Sequence, residues 1–522
     1  KDDDRIERVV LLTDGFRVAG FAALRELGAA LREFKADGKE IVAYGTGMDQ
    51  KQFYLAAQAD EVYLDPDGGI VLEGLGRYRL YYREGLQDKL GVDVHLFRVG
   101  EFKSAAEPYI LDAASPESRE ADLFWMNDLW KRHLGELATA RKMPVADLEA
   151  LVQTLPERVK AAGGDLGKLA MDAKLVDGLK TPYELERMLG ERGAWDDDDE
   201  EAFRQVDFDD YLARAKNQRR LDGDNGKGEV AVVVASGAIG FGKQPPGQVG
   251  GESTAELIRK VRTDDSIKAL VLRVDSPGGG VFPSEQIRRE IALTKEAGKP
   301  VVVSMGNVAA SGGYWISMNA DRIYADPSTI TGSIGIFGLW MTGQRALEKI
   351  GVHSDGVTTA PLAGAFDPSR ALDPEAGQII QSIIDHGYAQ FIGKVAKARG
   401  KAVEQVDEVA RGRVWSGAQA HERGLVDQLG GLRAAQAEAA RLAKLGKGYG
   451  VRYVEHEATP FEQLFLGLGS NARTAVLLRA LAPLPTGLDR AAAERIESEL
   501  AWLKPEPGTN PIRAIAHCFC GL

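Results

Sequence analysis

Ser311 is a hydroxyl set among residues too small to shield it. The stretch Val301-Val302-Val303-Ser304-Met305-Gly306 opens as a β-branched apolar run and then breaks into Asn307-Val308-Ala309-Ala310-Ser311-Gly312-Gly313. Tyr314, Trp315 and Met318 follow at helical spacing. The pattern reads as a buried strand, a tight turn and a helix start, with the serine at the turn. Small neighbours let a substrate backbone come close, and a helix start offers unpaired N–H groups and positive potential beside the oxygen. That setting suits a serine nucleophile. It equally suits an ordinary N-cap serine, and this segment alone does not choose between the two.

A second apolar strand, Ile267 to Val274, runs into Asp275-Ser276-Pro277-Gly278-Gly279-Gly280. Three successive glycines let backbone N–H groups point at a ligand with no side chain in the way, although Pro-Gly also makes a plain turn. Two strand-to-loop switches in one βαβ series belong at the same edge of a parallel sheet. One can then supply the nucleophile and the other an oxyanion-hole amide.

Two further motifs complete an ordered set: Thr331-Gly332-Ser333-Ile334-Gly335, and Gly412-Arg413-Val414-Trp415-Ser416-Gly417 with Gly424-Leu425-Val426-Asp427. Together the four resemble the Clp/crotonase superfamily and, within it, the signal peptide peptidase A (protease IV) family of serine proteases. The resemblance covers residue 1 to about residue 455. It implies Ser311 as nucleophile and Ser333 as an accessory serine. Arg98-Val99-Gly100-Glu101-Phe102-Lys103-Ser104-Ala105-Ala106-Glu107-Pro108-Tyr109 resembles the lysine segment of the long-form members, which makes Lys103 the general base. Gly279 and Gly312 are then the oxyanion donors, the second being the residue just after the nucleophile.

The elements that must position these residues come from an internal repeat. A shift of 261 places Ile6 on Ile267, Asp14 on Asp275, Gly45 on Gly306, and Ala59 to Pro66 on Ala320 to Pro327. One gap later, Lys89 to Val92 falls on Lys349 to Val352, and Leu175-Val176-Asp177 echoes Leu425-Val426-Asp427. The expected fold is therefore α/β: two tandem Clp/crotonase-like repeats with parallel sheets and surrounding helices. Residues 1–220 form the first repeat and 228–455 the second. Residues 456–522 form a helical tail with an amphipathic run of Phe461, Leu464, Phe465, Leu466, Val476, Leu477 and Leu478. The stretch from Glu191 to Lys227 reads as a connector containing a helix. Asp373-Pro374-Glu375 reads as an N-cap followed by proline at the first helical position.

The copies differ in chemistry. Ser311 falls on Gln50, and Pro277 of the glycine loop falls on Phe16. Lys103 falls on Ala363 of the second copy. In short-form relatives serine and lysine come from one repeat, with the lysine near the position of Ala363. Here they are split between repeats. A free lysine has a pKa of about 10.4 and is a poor base at neutral pH. Burial disfavours the ammonium, so packing of the two repeats is expected to desolvate Lys103. The Ser333 hydroxyl is expected to accept a hydrogen bond from it.

Other chemistries find less support. None of the histidines His95, His133, His353, His386, His421, His456 and His517 lies in a recognisable catalytic motif, and no Gly-x-Ser-x-Gly elbow surrounds Ser311. Cys518 and Cys520 are the only cysteines, and they form no metal-binding or disulfide framework. The run Asp196 to Glu201 reads as a solvated linker. No cofactor and no metal is expected. A net charge of −12 argues against non-specific nucleic-acid binding, and no 20-residue stretch reads as a membrane helix. The first copy lacks a counterpart of the strand Glu229 to Ala235, so an N-terminal segment is expected before Lys1.

The family resemblance implies that this segment anchors the protein in the bacterial inner membrane, with the catalytic body on the periplasmic side. It also implies peptide substrates, cleaved signal peptides among them, and a closed homo-oligomer of about four chains. A crotonase-type acyl-CoA enzyme and a non-catalytic scaffold are the competing functions.

Overall fold

The structure is a computed structural model, which describes residues 3–17, 20–196, 202–221, 229–245, 247–455, 514–518 and 520. Two α/β units follow one another along the chain. In the first, the strands Arg8–Leu12, Glu40–Gly45, Glu61–Leu64 and Gly178–Leu179 pair in that order, all parallel. Ile41, Val42, Ala43 and Tyr44 are all buried. That is the signature of a parallel strand covered on both faces, and it is why this run does not alternate.

The second unit repeats the arrangement on a larger scale. Ala269–Ser276, Val301–Ala310, Arg322–Ala325 and Gln428–Leu429 pair in the same order and are again parallel. The shift of 261 carries the first three strands of one unit onto their counterparts in the other. The second sheet extends further, with Val230–Ser236 and Val451–Tyr453 beyond Ala269–Ser276. On the other side, Ile330–Gly332 pairs parallel with the end of Val301–Ala310, and Val414–Ser416 closes antiparallel on it.

A third, six-stranded sheet joins the units. Its order is Asp93–Arg98, Phe337–Thr342, Ile515–His517, Gly278–Gly280, Ile239–Gly240 and Val249–Gly250. Asp93–Arg98 comes from the first repeat and lies antiparallel to Phe337–Thr342 of the second, with Arg98 opposite Phe337. This pairing carries the segment after Arg98 to the C-terminal end of the Val301–Ala310 strand.

The helix Phe21–Ala36 is fastened to the second unit by polar contacts. The Ala23 amide donates to Asn307 Oδ1 at 2.9 Å, Arg25 Nε donates to Asp326 Oδ1 at 2.8 Å, and Glu26 accepts from Arg273 at 2.8 Å. Asp326 is nearly buried, and its burial raises the carboxyl pKa against the pull of Arg25.

The helix Pro374–Arg399 starts as its sequence dictates. Asp373 accepts from the amides of Glu375 and Ala376, and Pro374 occupies the first turn. Its buried Ile380, Ile384, Phe391, Ile392 and Val395 pack on the second unit, with the Phe391 ring 4.3 Å from Trp315. The helix in the connector is Phe208–Leu221. Where a helical tail was expected, Ile515–His517 is a strand. Residues 456–513, with the apolar run from Phe461 to Leu478, and residues 197–201 of the acidic run lie outside the described residues. Among the described residues no helix is long and apolar enough to cross a membrane.

Candidate active site

The Val301–Ala310 strand ends at Ser311, and the helix Gly312–Ser317 begins immediately after it. Ser311 has φ +57° and ψ −113°, and its side chain makes no capping bond to the helix. The N-cap reading of this serine therefore does not hold. A non-glycine residue in this part of dihedral space is strained and persists only where its surroundings enforce it. Here the Ser311 amide is held by the Gly332 carbonyl at 2.8 Å. The strained turn directs Oγ to Lys103 Nζ, 2.7 Å away.

Lys103 arrives from the first repeat, in the segment after Asp93–Arg98. Its Nζ also lies 3.0 Å from Ser333 Oγ and 3.1 Å from the Ser333 carbonyl oxygen. A neutral amine has two N–H donors and one lone pair. In the neutral form, donation to the two Ser333 oxygens would leave the lone pair for the Ser311 hydroxyl proton, while the charged form donates to all three oxygens. Lys103 is 1% exposed, and burial alone holds its pKa well below the ordinary lysine value.

The burial has a visible origin. Gly412, at φ +82°, lies flat against the lysine backbone, so that an added side-chain carbon would sit 2.6 Å from Lys103 N and Cα. Phe102 donates its amide to the Arg411 carbonyl at 3.2 Å. The motif Gly412-Arg413 of the second repeat thus forms the lid over the lysine of the first. Ser333 is positioned by its amide, which donates to the Arg413 carbonyl at 2.7 Å.

Gly279 lies on the Gly278–Gly280 strand beside the serine turn. A side-chain carbon on Gly312 would come 3.0 Å from the Gly279 nitrogen, so the two residues adjoin. The structure therefore gathers Ser311, Lys103, Ser333, Gly279 and Gly312 at one place, from segments spread over more than two hundred residues.

Several neighbours were not anticipated. Glu107 is fully buried four residues after Lys103. It accepts from Ser115 Oγ at 2.7 Å and from the Ser115 amide at 3.2 Å, which fixes the end of the lysine loop. Arg79 donates to the carbonyls of Ala105 and Ser104 at 2.8 and 3.1 Å. Arg77, Arg79, Phe102, Lys103, Ser333 and His517 line one cleft. Burial holds the His517 imidazole down to about 4. Cys518 and Cys520, for which the sequence suggested no framework, are bonded to each other, with their Cα atoms 5.3 Å apart. A buried glutamate just after the lysine is a signal that could have been read; nothing in the pattern around His517 pairs it with residue 278. Among the described residues no group of His, Cys, Asp or Glu is arranged to hold a metal ion.

The site thus rests on two repeats of one parallel-sheet unit, with a strained serine from the second and a buried lysine from the first. The family model described as peptidase family S49 matches residues 33–190 and 294–446, and the chain belongs to that family. It is 44% identical to "Protease 4" of Salmonella typhi, over 94% of this chain and 78% of that protein. It is 39% identical to "Protease 4" of Haemophilus influenzae, over 85% and 71% of the two chains. The match to "Serine protease SPPA, chloroplastic" of Arabidopsis thaliana is 32% identical over 90% of this chain and 68% of that protein. The family resemblance read from the four motifs is thus borne out.

Proposed function

We propose that this peptidase is a membrane-associated endopeptidase of the bacterial envelope that cuts extended hydrophobic peptides, cleaved signal peptides among them, with a Ser311/Lys103 dyad. The observation that carries the reading is the 2.7 Å contact between the Ser311 hydroxyl and an amine whose pKa burial holds well below the ordinary lysine value. Lys103 takes the Ser311 proton as Oγ attacks the scissile carbonyl. The Gly279 and Gly312 amides stabilise the oxyanion. Lys103 then hands its proton to the departing amine, and the acyl-enzyme is opened by a water that Lys103 deprotonates in turn. Ser333 keeps the amine aimed throughout.

The assembly belongs to the same proposal: a closed homo-oligomer of about four chains. Its support is the pairing of Asp93–Arg98 with Phe337–Thr342, which joins repeat one to repeat two. The repeat counterparts of these strands are residues 353–358 and about residues 76–82, and neither forms a strand. Tyr78 is 87% exposed and Val357 fully exposed. The same pairing, made between the second repeat of one chain and the first of the next, propagates head to tail into a ring. Such a ring would enclose the sites and admit only unfolded or released peptides.

A covalent serine-directed inhibitor tests the chemistry. It should label Ser311 at a rate that rises with pH as Lys103 loses its proton, and slowly in Lys103→Ala. Labelling at another serine would overturn the assignment. Light scattering tests the ring, and a fully active monomer would rule out any need for it.

A further inference from the structure

The turn that closes over Lys103 is strained, and its surroundings must hold it in place. Arg411 and Gly412 follow one another at φ +51° and +82°. A non-glycine residue in the left-handed region persists only where its neighbours enforce it. Backbone bonds pin the turn at three points. The Arg411 carbonyl accepts from the Phe102 amide at 3.2 Å, the Gly412 amide donates to the Ile334 carbonyl at 2.9 Å, and the Arg413 carbonyl accepts from the Ser333 amide at 2.7 Å. Two of these partners, Phe102 and Ser333, flank the lysine amine and its loop.

The Arg413 side chain adds a clamp. Arg413 leads into the strand Val414–Ser416, and residues two apart on extended chain share a face, so it stands beside Trp415. Its guanidinium carbon lies 4.7 Å from the centre of the Phe102 ring, 4.9 Å from that of Trp415 and 5.2 Å from that of Phe124. A guanidinium over an aromatic face is attracted by the ring, most strongly by tryptophan. Trp415 is itself fixed, since its Nε1 donates to the Val409 carbonyl at 2.9 Å. Phe124 and Glu120 lie one turn apart on the helix Pro116–Ala140 and share a face. Exposed Glu120 accepts from Arg413 Nη2 at 2.9 Å. Arg413 Nε is buried with no hydrogen-bond partner among the described residues. The residue is therefore held more by the flat face of its guanidinium than by its hydrogen bonds. Phe102 and Phe124 belong to the first repeat and Trp415 to the second. One side chain thus spans the joint between the repeats where the lysine enters the site.

We propose that Arg413 is a positioning residue, whose stacked guanidinium locks the lysine loop of the first repeat under the lid of the second and keeps water away from the Lys103 amine. The inference rests on the dyad reading above. Arg413 acts on the base through the Phe102 ring and on the accessory serine through its own carbonyl. Its charge is not the means. The titratable and charged groups that face Lys103 in the cleft are Arg77, Arg79, Asp122 and His517, with Arg98 on the lysine carbonyl at 3.2 Å. Burial alone lowers the Lys103 pKa. Loosening the stack would admit water, and the pKa would climb back toward the ordinary lysine value.

The test measures kcat and KM for a fluorogenic apolar peptide across pH in the full chain and in Arg413→Met, Arg413→Lys, Phe102→Leu and Glu120→Gln. The wild type should show an acid limb set by Lys103. In Arg413→Met that limb should move up by about one pH unit or more, so that kcat at about pH 7 falls about tenfold and recovers at high pH, with KM changed less than about twofold. Arg413→Lys should behave like the methionine variant, because an ammonium keeps the charge without the flat face. Phe102→Leu removes one ring of the stack and should move the limb the same way, which keeps the test decisive where Arg413→Met does not fold. Glu120→Gln removes only an exposed ion pair and should leave the profile as it was. Lost turnover with the limb in place and no recovery at high pH would make Arg413 a structural residue and overturn the proposal. A wild-type limb in Arg413→Lys would assign the effect to charge, and a shifted limb in Glu120→Gln would assign it to the ion pair; either overturns the proposal as well. Variants that all keep the wild-type limb remove this inference and leave the dyad standing, whereas a wild type with no acid limb removes both.

Discussion

The two repeats build the same strand-to-helix turn and use its amides in opposite ways. In the first unit the turn is Asp49-Gln50-Lys51, the counterpart of Ala310-Ser311-Gly312. Asp49 accepts from the Lys51 and Gln52 amides at 2.7 and 2.8 Å, and the Gln52 side chain returns to the Asp49 amide at 2.9 Å. This is a complete capping box. Gln50, in the position of the serine, is tied to the Gly74 carbonyl at 2.9 Å. The Lys51 amide corresponds to that of Gly312, so the first unit fills with its own carboxylate the place where the second unit would bind an oxyanion. In the second unit alanine replaces the aspartate, no side chain caps the helix, and Ser311 takes a positive φ. Stability has been exchanged for an open amide at one turn and kept at the other. Under the dyad proposed above, the first unit's contribution to chemistry is its lysine loop.

This contrast can be broken from the serine side first. Ser311→Ala should lower peptide turnover on the order of 10⁴-fold or more with the fold intact, and Gln50→Ser added to it should restore nothing. Turnover recovered by the double variant would mean that the Asp49-capped turn is also competent. Next in size, Lys103→Arg should lose on the order of 10²–10⁴-fold, much like Lys103→Ala, because a guanidinium stays charged at ordinary pH. An active arginine variant would make Lys103 an electrostatic residue rather than a base.

Lys103 should also leave a mark on stability. Burial lowers its folded-state pKa, while the unfolded value stays near about 10.4. Between the two the unfolded chain binds the extra proton, so the wild type gains stability as pH rises through that window. Lys103→Met should therefore melt higher than wild type at pH 7, by a margin that narrows toward pH 10. A methionine variant less stable at pH 7 would contradict a neutral buried amine. Ser333→Ala should reduce turnover roughly three- to tenfold, the size of one lost hydrogen bond of about 1 kcal/mol; no change would remove its positioning role. The smallest effect belongs to the capped turn. Asp49→Ala should cost about 1 kcal/mol in urea unfolding and leave peptide turnover as it was, and a large loss of activity there would join the two turns functionally.

Much of this molecule follows from short-range pattern. The shift of 261 depends on local matches such as Ala59 to Pro66 on Ala320 to Pro327, and the strands it implies pair in the same order in both units. The Asp373-Pro374 start and the break in composition at Ser311 rest on contacts within about four residues, which sequence spacing reports directly. Lys103 could be singled out only through its likeness to a family segment, since nothing local separates it from a solvated lysine. What makes it unusual is a lid from Gly412 and a serine 208 residues away. Those contacts come from a sheet that pairs Asp93–Arg98 with Phe337–Thr342, and pairing over such a separation is decided by the free energy of docking whole units. The strand Ile515–His517 is the clearest case. Its short apolar pattern suits a helix or a strand equally, and only the open slot between Gly278–Gly280 and Phe337–Thr342 makes it a strand.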